Sequence, residues 1–465
     1  MLLFVIEREG IMSQDKNTYL FESAPVHKAV LSMAAPTIAS SLVMVLYNLA
    51  DTFFVGMLNN PIENAAVTLA APVLLAFNAV NNLFGVGSSS MMSRAMGRKD
   101  DATFKKSASF GFWGSVISGA VLSIAAFVFA GPLLVMLGAT EENMASTNAY
   151  LFWTTVCGAI PSILNVVLAY MVRSEGASLH ASIGTMCGCF LNIILDPIFI
   201  LPWGLNMGAS GAGLATFLSN CVACLYFFIL LFVRKNKTNI TLKFLMPTKD
   251  IVTGVCGVGI PASIQNLLNV TGMTILNNFA SAYGSNAVAA IGIAQKINQV
   301  PFYIANGLSQ GLMPLTSYNY ASGDHPRMKS CFYFAAKTSI TFLLIVTALY
   351  WFNSDLLVSL FMKNEEIIAI GSSFLKGMCL CLPFLAFDFL AVGVFQSTGM
   401  GKLSLIFAIC RKIIFEIPAM ILLNIFIPLY GLAYAQTVAE VALAIIAFFV
   451  LKKLFRGLNR TKETA

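Results

Sequence analysis

"VLSMAAPTIASSLVMVLYNLADTFFVG", residues 30–56, is apolar almost throughout and carries one charge, Asp51. A helix needs about 20 such residues to cross the hydrocarbon of a bilayer. A carboxylate at that depth costs on the order of 3 kcal/mol on insertion scales, so it marks function by default. The stretch therefore raises two questions: how many more like it follow, and what the acid is for.

Runs of the same kind recur along the whole chain. Of 465 residues, 58% are hydrophobic and 11% charged, where a soluble chain carries about 25% charged residues. The runs lie near 30–56, 65–93, 108–130, 147–171, 180–202, 209–233, 250–282, 286–318, 332–352, 368–396, 402–427 and 430–451. A β-barrel would show short alternating segments instead. The expected fold is an all-α polytopic membrane protein with twelve transmembrane helices.

The connections alternate in character. Even-numbered ones are basic, as in "SRAMGRKDDATFKK" and "RKNKTNITLKFLMPTKD", and so is the tail "KKLFRGLNRTK". Among the odd-numbered ones only Lys363 breaks the pattern. By the positive-inside rule both termini are cytoplasmic in a multi-pass cell-membrane protein, and Asp51 lies toward the outer half of the first span. The net charge of +7 is thus spent on orientation. No basic run or motif points to nucleic acid. "MLLFVIEREGIM" lacks the features of a signal peptide, and Met12 is a second candidate start beside Met1.

The ten cysteines lie mostly inside apolar runs, without histidines at ligand spacing, and read as small buried hydrophobes. No resident metal or cofactor is expected. "NIT", Asn239 to Thr241, matches a glycosylation acceptor but falls in a cytoplasmic connection. There is no nucleophile–base pair and no phosphate loop, so the chain does not read as an enzyme.

The two halves resemble each other. "AAPTIASSL" matches "GIPASIQNL" (Pro36 with Pro261), and "AIPSIL" matches "CLPFLA" (Pro161 with Pro383). "SRAMGRKDDATFKKS" matches "NYASGDHPRMKS" (Gly97 with Gly323), "VRSEGASL" matches "FQSTGMGKL" (Gly176 with Gly399), and Thr216 matches Thr437. Six spans per unit keep both units in one orientation, a parallel repeat about the membrane normal. The expected organisation is a cytoplasmic N-terminal segment 1–28, an N-lobe 29–233, a linker 234–249, a C-lobe 250–451 and a tail 452–465. Two pseudo-symmetric six-helix bundles suit alternating access.

Together "YNLADTFFVG", "SRAMGRKD", "RSEG", "NIILDPIFI", "GASGAGLAT", "SQGLMPLTSYNYASG" and "FQSTGMGK" carry a resemblance over about residues 25–455. The chain resembles the multidrug and toxic compound extrusion (MATE) family, in its bacterial MepA-like or DinF-like type. The resemblance implies two lobes around a central cleft. It also implies export of mostly cationic organic compounds in exchange for H⁺ or Na⁺.

Asp51 has company in the first half. In "NIILDP", Asn192 and Asp196 are four apart and share a helix face. Thr216 follows on the sixth span. Two carboxylates, an amide and a hydroxyl offer oxygens to Na⁺, and two close carboxylates can instead share a proton. The same set could also serve only as an interhelical network. The resemblance implies that Asp51, Asn192, Asp196 and Thr216 form the cation site of the N-lobe. Asn48 and Asn165 are candidates to complete it.

The second half carries Gln265, Lys296, Asp388, Arg411, Lys412, Glu416 and Glu440 within its spans. Gln265, Lys296, Asp388, Glu416 and Glu440 are candidates for a substrate or coupling role there. Asp388 falls at the repeat position of Asn165, and Glu416 close to that of Asp196. Lys296 is expected to pair with Asp388 or Glu416, and Arg411 and Lys412 to snorkel toward the cytoplasm. NorM-type relatives use a Glu of the seventh helix and an Asp of the tenth. Here the seventh offers Gln265, so coupling is expected in the first half.

Two rival readings differ in class. A flippase for lipid-linked saccharides would line its cleft with arginines for pyrophosphate. A channel would need a ring of carbonyls or charges. The expected partners are small organic cations and the lipid bilayer, with the monomer as functional unit.

Overall fold

The computed structural model describes residues 18–234, 240 and 248–463. The segment before Thr18, with both candidate starts, lies outside the described residues. So do most of the 234–249 linker, with Asn239 and Thr241 of its "NIT" triplet, and the last two residues.

Twelve helical spans follow one another. α1 is Val26–Gly56, α2 Pro61–Gly97, α3 Asp101–Val128, and α4 runs through Met144–Leu151 and Ala159–Ser174. α5 is Ser178–Ile200, α6 Gly208–Arg234, α7 Lys249–Ser281, α8 Ser285–Ala321 and α9 His325–Ser359. α10 comprises Glu365–Cys379 and Leu382–Ser397, α11 comprises Gly401–Ile409 and Ile417–Phe426, and α12 is Gly431–Glu463. α1, α2, α3, α5, α6, α7 and α9 are each long and apolar enough to cross a membrane, and the bent halves of α4 and α10 are so together. Large apolar side chains such as Phe232 (88% exposed) and Phe352 (83%) stand bare, as a lipid-facing surface requires. The twelve spans expected from hydropathy are the twelve helices observed.

Local chemistry starts these helices. Asn60 accepts from the Ile62 N–H with Pro61 at the first helical position, and Asn364 accepts from Glu366 and Ile367. Such caps satisfy donors that would otherwise be orphaned. Asp100 and Asp324 cap α3 and α9 by accepting from Thr103 and Arg327 N–H. Both follow a residue in the left-handed region, Lys99 (φ 57°) and Gly323 (φ 81°). Geometry therefore pairs Gly323 with Lys99, two residues beyond the Gly97 suggested by letter matching. The tight turn, not the glycine, is what repeats. The other pair holds at the backbone: Gly176 (φ 84°) and Gly399 (φ 81°) occupy the same left-handed conformation, which side chains disfavour.

The repeat extends to the breaks. α4 bends by 49° across a π-helical stretch, Phe152–Cys157, and α10 bends by 45° at Leu380–Cys381. Further π stretches lie within α2, at Asn82–Val86, and within α11, at Cys410–Glu416. The counterpart of α11, α5, is continuous.

The chain forms two compact units. One holds Ala39–Ser263, and the other holds Pro25–Ile38 with Ile264–Ala465. The division thus falls inside α1 and inside α7, three residues beyond Pro36 and three beyond Pro261. Within the first unit, the Ser263 hydroxyl donates to the Ala79 carbonyl. Close to Gly311 of the second unit lies the Ala34 backbone. The first unit has its main core around Phe104, Ile163, Met171 and Phe227 and a smaller one around Val55, Leu151 and Ile200. The second has one core around Ile291, Phe374 and Met420 and another around Leu343, Leu385 and Phe389.

Candidate functional site

Within the first unit, α1 supplies Asp51, α5 supplies Asn192 and Asp196, and α6 supplies Thr216. Asp196 is fully buried. The Asn192 amide, oriented to satisfy both its contacts, donates to Asp196 Oδ2 at 2.9 Å and accepts from the Thr216 N–H at 3.1 Å. The spacing of four in "NIILDP" thus becomes a direct bond. Asp196 Oδ1 has no hydrogen-bond partner among the described residues, and the charge acting on this carboxyl is that of Asp51. Among the described residues neither acid forms an ion pair with a base.

Two tyrosines complete the surroundings. Tyr47 lies near the Thr216 side chain and within electrostatic reach of Asp51, Asp196 and Tyr150. Tyr150 of α4 lies within electrostatic reach of both carboxyls. Neither stands out in the sequence. Tyr47 lies four residues before Asp51, a same-face spacing that could have found it. Tyr150 carries no such signal, because only the packing of α4 brings it there.

The two amides expected to complete the set go elsewhere. Asn48 is exposed, and its carbonyl accepts from the Thr52 hydroxyl. Asn165 donates to Asn220 Oδ1 at 2.8 Å and to the Pro161 carbonyl at 3.0 Å. It joins α4 to α6 instead of facing Asp51.

The second unit handles its charges differently. Arg411, Lys412 and Glu416 lie on the π stretch of α11 and all three are buried. Lys412 Nζ donates to Glu416 Oε1 at 2.7 Å. Arg411 Nη2 stands 3.2 Å from Glu440 Oε2 and its guanidinium lies 5.0 Å from the Phe389 ring centre. Snorkelling, expected for these two bases, does not occur. The wide turn aims both inward, where carboxylates meet them. Lys296 also departs from expectation. It is exposed on α8, and among the described residues it pairs with neither Asp388 nor Glu416, because Lys412 already holds Glu416. Gln265 accepts from the Gln396 amide at 3.3 Å, linking α7 to the end of α10. Among the described residues no cluster of His, Cys, Asp and Glu is arranged to hold a metal ion.

Known proteins agree with this architecture. A family model described as MatE matches twice, over residues 36–198 and 261–422, reproducing the internal repeat. The multidrug export protein MepA of Staphylococcus saprophyticus is 31% identical over 440 residues, covering 94% of this chain and 96% of that protein. MepA of Staphylococcus haemolyticus is 31% identical over 456 residues, covering 97% and 99%. A multidrug resistance MATE family transporter of the MOP superfamily, solved in an outward-facing conformation, superposes with a TM-score of 0.89 at 27% identity, covering 95% of this chain and 98% of that one.

Proposed function

Since the chain belongs to the MATE family of multidrug exporters, we propose that it is a secondary antiporter that exports lipophilic, mostly cationic organic compounds in exchange for H⁺ or Na⁺. The observation that carries this reading is the pair of acids in the first unit. Asp51, partly exposed, acts electrostatically on the fully buried Asp196, and among the described residues no base forms an ion pair with either. Two such carboxyls cannot both stay ionised in a low-dielectric interior without a cation. Asp51, Asn192, Asp196 and Thr216 bind it, with Tyr47 and Tyr150 bounding the site.

Coupling follows from competition. Export is coupled if the drug and the ion favour different states of the protein or exclude each other from one site. Aromatic and methionine side chains, 37 Phe and 21 Met in the chain, suit flat lipophilic cations. The site is in the cell membrane, and both termini are cytoplasmic by charge bias.

The test is ethidium transport by the purified protein in liposomes, with an H⁺ gradient and an Na⁺ gradient imposed separately. One gradient should drive transport, and Asp51→Asn should lose it while staying folded. Undiminished transport by that variant would end the reading. Transport of a lipid-linked saccharide instead of ethidium would favour the flippase.

A further inference from the structure

The last helix is longer than a membrane is thick. α12 runs for 33 residues, Gly431–Glu463. At 1.5 Å per residue that is about 50 Å, whereas the hydrocarbon of a bilayer is about 30 Å deep. Its surface changes character part-way. Between Gly431 and Leu451 every exposed side chain is apolar: Val438, Ile445, Ile446, Phe448 and Phe449. From Lys452 the helix reads "KKLFRGLNRTKE". Between Lys452 and Leu458 the exposed side chains are Lys452, Lys453 and Arg456. The change from bare rings to bare cations takes less than one turn, and it marks where α12 passes from hydrocarbon to headgroups.

Rings and cations share one face. Phe448, Lys452 and Arg456 follow at intervals of four, and so do Phe449 and Lys453. The Lys452 ammonium lies 5.7 Å from the centre of the Phe448 ring. Among the described residues none of the three cations forms an ion pair. The helix end that carries them is fastened to α9, within the same compact unit. Lys329 Nζ donates to the Phe455 carbonyl at 2.6 Å, and the Phe332 and Tyr333 rings lie 5.5 and 5.9 Å from the buried Phe455 ring. Phe455 sits between Lys453 and Arg456, so this contact sets the cations in place.

Orientation by charge bias needs basic residues somewhere in a connection. It does not need them on one face, in register with exposed rings, on a helix that continues beyond the bilayer. We propose that this end of α12 is a binding site for an anionic phospholipid of the leaflet where the helix emerges. Lys452, Lys453 and Arg456 hold its phosphate, and its acyl chains lie along Phe448 and Phe449. A soluble anion would use the cations alone. A zwitterionic lipid would bring its own positive charge against them.

Native mass spectrometry of the full-length protein reads the site without any transport, so its outcome is separate from that of the antiport reading. The protein is supplied in detergent with equal amounts of phosphatidylglycerol and phosphatidylcholine. Wild type should retain phosphatidylglycerol in preference. Lys452→Gln/Lys453→Gln/Arg456→Gln should lower that preference by about fivefold per charge removed. Arg456→Gln alone, with the smaller fall, serves should the triple variant fold poorly. Lys363→Gln, an exposed charge between α9 and α10, should leave the preference unchanged. Equal retention of both lipids by wild type overturns the site, and so does a preference that the triple variant keeps. Phe448→Ala/Phe449→Ala separates a lipid from a free phosphate. It should weaken retention of phosphatidylglycerol. Undiminished retention, with displacement of the lipid by soluble glycerol phosphate, would mean that the cations take a soluble anion, and would overturn the lipid assignment.

Discussion

In the first unit, two acids on α1 and α5 meet an amide, a threonine and two tyrosines, and no base. In the second, three acids on α10, α11 and α12 meet an arginine and a lysine. The helices correspond one to one, so the contrast comes from the side chains and from local breaks such as the π stretch Cys410–Glu416, which α5 lacks. A site that must take up and release a cation is best left short of positive charge. A site whose bases are built in is anchored by its ion pairs. Duplicated scaffolds thus reach two electrostatic states without a change of fold.

Four experiments sharpen or break this contrast. The largest effect is expected from Asp51→Asn, which should remove essentially all gradient-driven efflux of ethidium while the protein still elutes as a folded species. Equal efflux at equal reconstitution would remove the functional half of the comparison. Next comes Arg411→Ala. Removing one partner of a buried ion pair leaves the other charge uncompensated, at about 3–5 kcal/mol. Thermal unfolding in detergent should show a large fall in Tm, and a shift within error would mean that Glu440 needs no base.

The third test concerns what both units share. Gly176→Ala and Gly399→Ala each force a side chain into the left-handed region, at roughly 1–2 kcal/mol. The two Tm losses should be similar. Unequal losses would show that the repeat is less symmetric in energy than in backbone. The smallest effect is at Asp100, whose replacement by Ala should cost about 1 kcal/mol or less as a lost cap. Hydrogen bonds from the Thr103 side chain and N–H hold its carboxyl below the usual carboxylate range. Its contribution is therefore present above that range and fades as pH falls through it. Wild type and Asp100→Ala should converge in Tm on acidification, and a constant difference would contradict the cap.

Much of this architecture is legible in the amino-acid sequence. Hydropathy marks all twelve spans because bilayer thickness sets a length that a simple run of apolar residues reveals. The acids stand out because burying charge in lipid is rare. The spacing of four in "NIILDP" already puts Asn192 and Asp196 on one helix face, where they bond. Side-chain partners across helices are a different matter. Tyr150 reaches the acids only through the packing of α4, and Asn165 turns to Asn220. The inward aim of Arg411 and Lys412 depends on a π turn, which adds one residue to a helix and shifts every side chain after it. Composition carries no mark of such a turn, so the sequence assigns Lys296 a partner that Lys412 takes.

The division of α1 and α7 between the compact units bears on how the chain is made. Pro25–Ile38 leaves the ribosome early, yet it belongs to the unit built from Ile264 onward. Domains usually mature in order of synthesis, but here an early helix waits for more than two hundred residues before half of it finds its neighbours. Lys249–Ser263 completes the first unit from the far side of the linker. Two half-chains cut within 234–249 would each lack a piece of core and carry a half-helix meant for the other. Co-expression, not separate expression, is the route by which such fragments could assemble.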